Sequence, residues 1–210
     1  LFAVAPGRVE AEALYDDLCT LFGEERCALF PAWEVLPTDL MSPSDDIVAE
    51  RMNTLERMLA ARDAGAPLHV AAPLRAVMQY VADRRRLREE TLTLREGEEH
   101  DLDDLLARLV KLGYERDVMV ERRGDFSLRG GILDVFPISA ELPFRLEFFG
   151  DRIESMRLFE PETQRSAGKA VSVILAPRSE KALLAEGLRA GRHKTALTEY
   201  LPDNTLVLAD

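Results

Sequence analysis

The chain has 210 residues, 47% hydrophobic and 31% charged, which is typical of a globular protein with one large domain or two small ones. Its 27 basic and 38 acidic residues give a net charge of −11. This excess of negative charge argues against a non-specific binder of duplex DNA, because binding phosphates requires a surplus of cations. Two cysteines, Cys19 and Cys27, are too few for a disulfide framework and favour a reducing compartment, so a cytoplasmic location is expected.

The chain opens on an apolar segment, LFAVAP (1–6), with no basic residues before it. This pattern does not match a signal peptide, and no apolar run reaches the length needed to cross a membrane. Because the sequence starts in the middle of a predicted strand and without Met, we expect it to be a fragment of a longer protein.

Residues 1–82 alternate between short apolar runs and amphipathic segments, which predicts the first part of an α/β domain with a parallel sheet. The predicted strands cover 1–6, 26–30 and 68–72. Helical spacing of apolar residues predicts a helix from Val9 to Phe22 and a second one capped by Ser44 and ended by Gly65. Pro73 is expected to open a third helix that runs through Val81.

The pattern changes over 83–170, which predicts a separate α+β domain inserted into the first or appended to it. A half-exposed strand is predicted over 91–96, followed by a helix that Asp101 begins and Gly113 ends. From Tyr114 to Glu160, short alternating runs are separated by Gly130-Gly131 and Gly150-Asp151, as expected for antiparallel hairpins.

Residues 171–210 are predicted to return to the α/β domain. The expected elements are a strand over 171–176, a helix over 179–189 and a buried strand over 205–210 that ends on Asp210.

The sequence contains no recognisable catalytic or cofactor motif. A phosphate-binding loop needs G-x-x-x-x-G-K-[ST], but around Gly168-Lys169 Thr163 replaces the first glycine and Ala170 the hydroxyl residue. The three histidines are isolated, and the cysteine spacing does not suit a metal. We therefore expect no catalytic residues, no metal and no cofactor in these 210 residues.

The run PFRLEFFGDR (143–152) carries the most distinctive chemistry. If it is a strand, alternation places Phe144, Leu146 and Phe148 on one face. Arg145 and Phe149 then lie on the other face. The same alternation in FSLRGGILDVF (126–136) turns Arg129 outward. Two arginines and a large aromatic residue are thus predicted on the solvent side of a sheet.

Two interpretations of this cluster remain open from composition. Residues 115–160 hold seven arginines, no lysine and ten acidic residues, so the local net charge is −3. Arginine and aromatic residues are enriched at protein interfaces, and the negative balance favours a protein partner over nucleic acid. The alternative is a set of cross-strand ion pairs, such as Arg145 with Glu147 or Glu154, beside a tolerated exposed phenylalanine.

Three motifs carry a family resemblance: R-G-G-I-L-D-V-F-P (129–137), R-L-E-F-F-G-D (145–151) and F-E-P-E-T-Q-R-S (159–166). The segment 113–166 resembles one shared by the repair protein UvrB and the transcription-repair coupling factors (Mfd). The loop ALFPAWEVLPTDLMSPS (28–44) is similar to the Mfd version, because it has Trp33 near its start and no Tyr, where UvrB has a tyrosine-rich hairpin that grips damaged DNA. The resemblance extends over nearly the whole chain and is weakest across 176–200.

The resemblance implies a fold and a function. The fold is a degenerate P-loop, helicase-like parallel sheet domain similar to UvrB domain 1, joined to an α+β domain similar to UvrB domain 2. The function is a non-catalytic module that recruits UvrA in transcription-coupled nucleotide excision repair. The UvrA-contacting residues of the family match Arg129, Arg145 and Phe149 here.

The resemblance also implies properties of the full-length protein. It is an ATP-dependent DNA translocase that uses ATP and Mg²⁺, and it contacts RNA polymerase and DNA through other domains. Its C-terminal part contacts this module and masks the UvrA site. The alternative function is a UvrB-like ATPase and damaged-DNA-binding module, which requires a P-loop upstream of Leu1.

Overall fold

The computed structural model describes residues 1–34, 44–180, 183–184 and 194–209. The chain divides into two compact units. Unit 1 comprises Leu1–Arg86 and Glu180–Asp210, and unit 2 comprises Leu87–Ser179. The loop residues 35–43, most of the helix predicted over 179–189, and Asp210 lie outside the described residues.

Unit 1 is an α/β structure, as predicted. Its strands and helices, in chain order, are β1 (Phe2–Ala5), α1 (Arg8–Phe22), β2 (Cys27–Leu29), α2 (Asp45–Ala64), β3 (His69–Pro73), α3 (Leu74–Val77), β4 (Tyr80–Val81), β13 (Thr195–Ala196) and β14 (Val207–Ala209). Short 3₁₀ turns cover Glu24–Arg26 and Leu197–Tyr200.

The main sheet of unit 1 has four parallel strands in the order β14-β1-β3-β2. Strand β3 lies between β1 and β2, so the predicted strand–helix–strand unit passes over one strand position. Four of the five residues of β3 are buried, which is typical of a central parallel strand covered on both faces. Strand β14 occupies one edge of the sheet. Its residues are exposed, whereas a buried strand was predicted here.

Helix α2 begins and ends at the residues that its sequence predicts. The Ser44 hydroxyl accepts a hydrogen bond from the backbone N–H of Ile47 at 3.4 Å and so caps α2. Gly65 ends α2 in the left-handed conformation. Helix α1 packs through Leu18 onto Cys27 and Ala71 of the sheet.

The helix predicted from Pro73 to Val81 is shorter than expected. Helix α3 stops at Val77, and Tyr80–Val81 forms strand β4, which pairs with Thr195–Ala196. Val81 is fully buried in this pairing. The strand partner lies more than a hundred residues away in sequence, so the local spacing of apolar residues could not indicate this pairing.

A buried ion pair joins distant segments of unit 1. Arg51 of α2 donates to the Glu180 carboxylate from Nε at 2.7 Å and from Nη2 at 3.1 Å, and both side chains are fully buried. The guanidinium also lies 4.2 Å from the ring centre of Phe30 and 4.5 Å from that of Trp33. Nη1 donates to the Pro31 carbonyl at 2.7 Å. Arg51 therefore fixes the segment after β2 and the point where the chain re-enters unit 1.

Unit 2 contains the predicted α+β domain. Its elements are α4 (Arg84–Glu90, which includes the boundary residue Arg86), β5 (Leu92–Arg95), α5 (Leu102–Lys111), β6 (Glu115–Arg116), β7 (Asp125–Arg129), β8 (Ile132–Val135), β9 (Phe144–Phe149), β10 (Arg152–Phe159), β11 (Ser166–Lys169) and β12 (Ser172–Leu175).

Six strands of unit 2 form one sheet in the order β11-β10-β9-β8-β7-β6, antiparallel except for the β6–β7 pair. The hairpin loops Gly130-Gly131 and Gly150-Asp151 have two residues each, as predicted. Helix α5 begins at Asp101, whose carboxylate accepts from the Asp104 N–H at 2.9 Å. Its residues Leu105 and Leu109 join the buried core on one face of the sheet.

The predicted return to the α/β domain at residue 171 is wrong. Strand β12 pairs antiparallel with β5 inside unit 2, and unit 1 resumes at Glu180. Val173 and Leu175 face the core of unit 2, whereas Ser172 and Ile174 are exposed. This alternation is typical of a half-exposed antiparallel strand rather than of a parallel strand covered on both faces.

Replacing Arg51 by Met is expected to destabilise the chain strongly. The substitution leaves the Glu180 carboxylate buried without its partner, which typically costs about 3–5 kcal/mol. Chemical denaturation of the 210-residue chain measures the free energy of unfolding. The control is Arg8→Met, which removes an exposed i,i+4 pair with Glu12 and should leave the free energy of unfolding nearly unchanged. Equal effects of the two variants would contradict this prediction.

Candidate protein-interaction surface

The two faces of strand β9 have different environments. Phe144, Leu146 and Phe148 pack in or against the buried core of unit 2. Because side chains alternate along a strand, Arg145 and Phe149 lie on the opposite face, as predicted from the sequence. We call this second face of the six-stranded sheet the outer face.

Strand β7 shows the same alternation. Phe126 is buried in the core and Leu128 packs against it, whereas Arg129 is exposed. Strand β8 lies between β7 and β9, and its register places Asp134 directly beside Arg145 and Ile132 beside Arg129. The structure thus brings the predicted Arg129 and Arg145 onto one surface, on either side of β8.

Two cross-strand rows form the centre of the outer face. The first row contains Ser127, Asp134, Arg145, Arg157 and Lys169, and the second contains Arg129, Ile132, Glu147 and Ser155. These rows hold four cationic and two anionic side chains. The centre of the outer face is therefore positive, although the chain as a whole carries a charge of −11.

Asp134 bridges the two arginines. Its Oδ2 accepts from Nη2 of Arg129 at 2.8 Å and from Nη2 of Arg145 at 2.7 Å, while its Oδ1 accepts from Nε of Arg145 at 2.6 Å. The side chain is only 2% exposed, so its charge is compensated almost entirely by these two partners. The carboxylate holds both guanidinium groups side by side.

Arg145 is less accessible than the alternation argument implied, because its side chain is only 14% exposed. Nη2 donates a further hydrogen bond to Oε1 of Gln164 at 2.9 Å, and the guanidinium lies 4.5 Å from the ring centre of Phe159. The hydrogen bonds with the Asp134 carboxylate raise the pKa of Arg145 above its usual value, despite the opposing effect of burial. Arg145 is therefore a fixed, permanently charged group.

Arg129 and Phe149 are the accessible members of the predicted site. The Arg129 side chain is 52% exposed, and Phe149 is 80% exposed at the end of β9, next to the Gly150-Asp151 turn. Ile132 lies on the same face beside Arg129 and is half-buried. The surface thus combines a held pair of cations with apolar side chains.

The cross-strand pairs expected from the alternative interpretation are only partly present. Glu147 pairs with Arg157 at 2.6 Å and accepts from the Ser155 hydroxyl at 2.9 Å. Arg145 pairs with Asp134 instead of Glu147 or Glu154. The ion pairs therefore explain how the arginines are held, but they do not explain an exposed phenylalanine on the same face.

Gly131 sets the approach of β8 to β9 next to Phe149. The N–H of Phe148 donates to the Gly131 carbonyl at 2.7 Å. A Cβ added to Gly131 would lie 2.7 Å from the Phe148 carbonyl oxygen, closer than side chains tolerate. The second glycine of the R-G-G motif is therefore required by the packing of two backbones.

Three residues of the surface were missed in the sequence analysis. Asp134 and Ile132 share the outward alternation of β8 and could have been found by extending it from Arg129 across the hairpin. Gln164 lies in the loop after β10, and its contact with Arg145 gives no local signal in the sequence.

The described ranges hold neither a metal-binding cluster nor a membrane-spanning helix. Across 1–34, 44–180, 183–184 and 194–209, no group of three or more His, Cys, Asp and Glu side chains could hold a metal ion. The part of the chain that the structure describes also has no helix that is both long and apolar enough to cross a membrane. Gly168 and Lys169 lie in strand β11.

Comparison with known families gives a match where this surface lies. The model of the UvrB interaction domain matches residues 92–180, from the first residue of β5 to one residue beyond unit 2. Residues 92–180 are therefore similar to the UvrB interaction domain family. The matched segment contains all the strands of the outer face.

Relatives extend the similarity to the rest of the chain. A transcription-repair-coupling factor from Mycobacterium bovis is 39% identical over 98% of this chain, and one from Escherichia coli is 32% identical over 84%. One from Bacillus subtilis is 30% identical over 86%. The chain spans only 15–17% of the length of these relatives. The resemblance to the transcription-repair coupling factors predicted from the sequence is confirmed.

Replacing Gly131 by Ala is expected to destabilise unit 2 by about 1–3 kcal/mol, because the new methyl group forces β8 and β9 apart. Chemical denaturation checks this value. The control is Gly168→Ala in β11, where the added Cβ meets only Leu158 Cδ1 at 3.9 Å, so stability should be unchanged or slightly higher. A Gly131→Ala variant as stable as the original chain would show that the close approach is not required.

Proposed function

We propose that this chain is a non-catalytic, UvrB-like module that recruits UvrA in transcription-coupled nucleotide excision repair. The docking residues are Arg129, Arg145 and Phe149 on the outer face of the UvrB interaction domain. The observation that carries the proposal is that one face of the sheet presents two arginines, held by one buried carboxylate, and a phenylalanine that is 80% exposed. An exposed aromatic side chain beside ordered arginines is the composition of an interface hot spot.

The chemistry of the surface describes what UvrA must present. Arginine forms its strongest hydrogen bonds with carboxylates, so we expect an acidic side chain of UvrA opposite Arg129 and Arg145. Phe149 and Ile132 require an apolar pocket, since burying them removes apolar surface from water. The local surplus of positive charge steers an acidic partner toward this face.

Two observations favour a docking module over the alternative, a UvrB-like ATPase and damaged-DNA binder. Trp33 is 7% exposed and packs on Arg51, and its backbone N–H donates to the Gln79 side chain at 2.8 Å, so its ring is not available to stack on a base. The pair Gly168-Lys169 lies in an extended strand, whereas a phosphate-binding loop must curl its N–H groups around an anion.

The wider role rests on the relatives, which are named as transcription-repair-coupling factors. We assign ATP and Mg²⁺ binding, DNA translocation, and contacts with RNA polymerase and DNA to other parts of the full-length protein. A contact with the C-terminal part of that protein is proposed to mask the outer face until UvrA binds. The proposed location is the cytoplasm.

The decisive variant is Phe149→Ala. Its side chain is mostly exposed, so its removal should leave the melting temperature nearly unchanged while weakening UvrA binding at least about thirtyfold, as for a hot-spot aromatic. Titration of purified UvrA with the 210-residue chain measures the affinity. The variant Arg145→Glu is less suitable, because a second carboxylate beside the buried Asp134 would also destabilise the sheet.

The matched control is Val110→Ala on α5, an exposed apolar residue of the same unit that does not lie on the six-stranded sheet. We expect it to bind UvrA like the original chain. Undiminished UvrA binding by Phe149→Ala would refute the proposed docking site, and equal losses in both variants would point to a non-specific effect.

A further inference from the structure

The loop after β10 contains an unusual backbone conformation. Among the non-glycine residues that the structure describes, Gln164 is the one with a left-handed backbone, at φ = 60°. Such a conformation is unfavourable for a residue with a Cβ, and glutamine is not among the residues that tolerate it readily. Its persistence indicates that the surrounding contacts compensate for the strain.

The contacts of Gln164 explain its conformation. Its backbone N–H donates to the Glu160 carbonyl at 2.8 Å and its Nε2 donates to the Pro161 carbonyl at 2.8 Å, which closes the loop on itself. These two bonds orient the amide so that Oε1 faces Arg145 and accepts from Nη2 at 2.9 Å. The strained residue is therefore the one that supports the central arginine of the outer face.

Asp134 supports the same guanidinium from the neighbouring strand. Asp134 and Gln164 together engage Nε and Nη2 of Arg145, and the Phe159 ring lies against the guanidinium. Nη1 takes no part in these contacts. An arginine held in this way loses little side-chain entropy when a partner's carboxylate binds its remaining edge.

We propose that Gln164 and Asp134 are positioning residues of the UvrA site, which preorganise Arg145 and, through Asp134, Arg129 for a carboxylate of the partner. This inference rests on the proposed function and adds two residues that need not touch UvrA. It also assigns a role to the left-handed backbone of Gln164. The strain of this conformation is tolerated because the conformation directs the amide to Arg145 and fixes the guanidinium.

The variant Gln164→Gly separates positioning from stability. Glycine relieves the left-handed strain, so the melting temperature of the 210-residue chain should be unchanged or higher. The variant loses the hydrogen bond to Arg145, so its affinity for UvrA should fall about five- to tenfold. A purely structural role predicts the opposite, a lower melting temperature with unchanged affinity, and that result would overturn the proposal.

Two further variants test whether Gln164 acts through Arg145. In an Arg145→Ala background, Gln164→Gly should cause no additional loss of affinity, and additive losses would overturn the proposal. Glu162→Gly loosens an exposed position of the same loop without removing the amide, so it should bind UvrA like the original chain. A loss as large as that of Gln164→Gly would show that loop flexibility, rather than the amide, is responsible.

A measurement without UvrA tests the positioning directly. The ¹⁵N relaxation of Arg145 Nε should report a rigid guanidinium in the original chain and faster motion in Gln164→Gly. Unchanged motion would refute the positioning role even if UvrA binds elsewhere. If Phe149→Ala binds UvrA normally, the proposed docking site itself fails. If Phe149→Ala weakens binding but Gln164→Gly does not, only the present inference fails.

Discussion

The buried carboxylate of Asp134 determines how the outer face of unit 2 is arranged. Burying an ionised carboxylate is costly unless its charge is compensated, and Arg129 and Arg145 provide that compensation from the two adjacent strands. The requirement acts in both directions, since the carboxylate also fixes the two guanidinium groups that would otherwise move freely in solvent. The need to compensate a buried charge within the sheet therefore produces an ordered cationic surface.

The predictable part of this surface followed from local periodicity. The two-residue repeat of a strand placed Arg129, Arg145 and Phe149 on one face, because it depends only on neighbouring residues. The antiparallel hairpins were likewise indicated by paired glycines and turn residues. The support of Arg145 by Gln164 could not be predicted in the same way, since it depends on how a loop folds back over the sheet.

Two of the errors in the predicted fold have a common cause. The helix expected through Val81 and the return to the α/β domain expected at residue 171 were both inferred from local pattern. In each case a distant strand decided the outcome, Thr195–Ala196 for β4 and Leu92–Arg95 for β12. The burial of Arg51 with Glu180 belongs to the same class, because two charged residues 129 positions apart give no sign of pairing in the sequence.

Arg51 and Arg145 have chemically similar surroundings but different roles. Arg51 is fully buried and lies over the rings of Phe30 and Trp33, and the described partners of its guanidinium belong to unit 1. Arg145 has a comparable set of partners, a carboxylate, an amide and an aromatic ring, but it lies on the same sheet face as the exposed Phe149. The net charge of −11 describes neither environment. What distinguishes a structural arginine from one available to a partner is the access left to its guanidinium, which depends on the fold around it rather than on the composition of the chain.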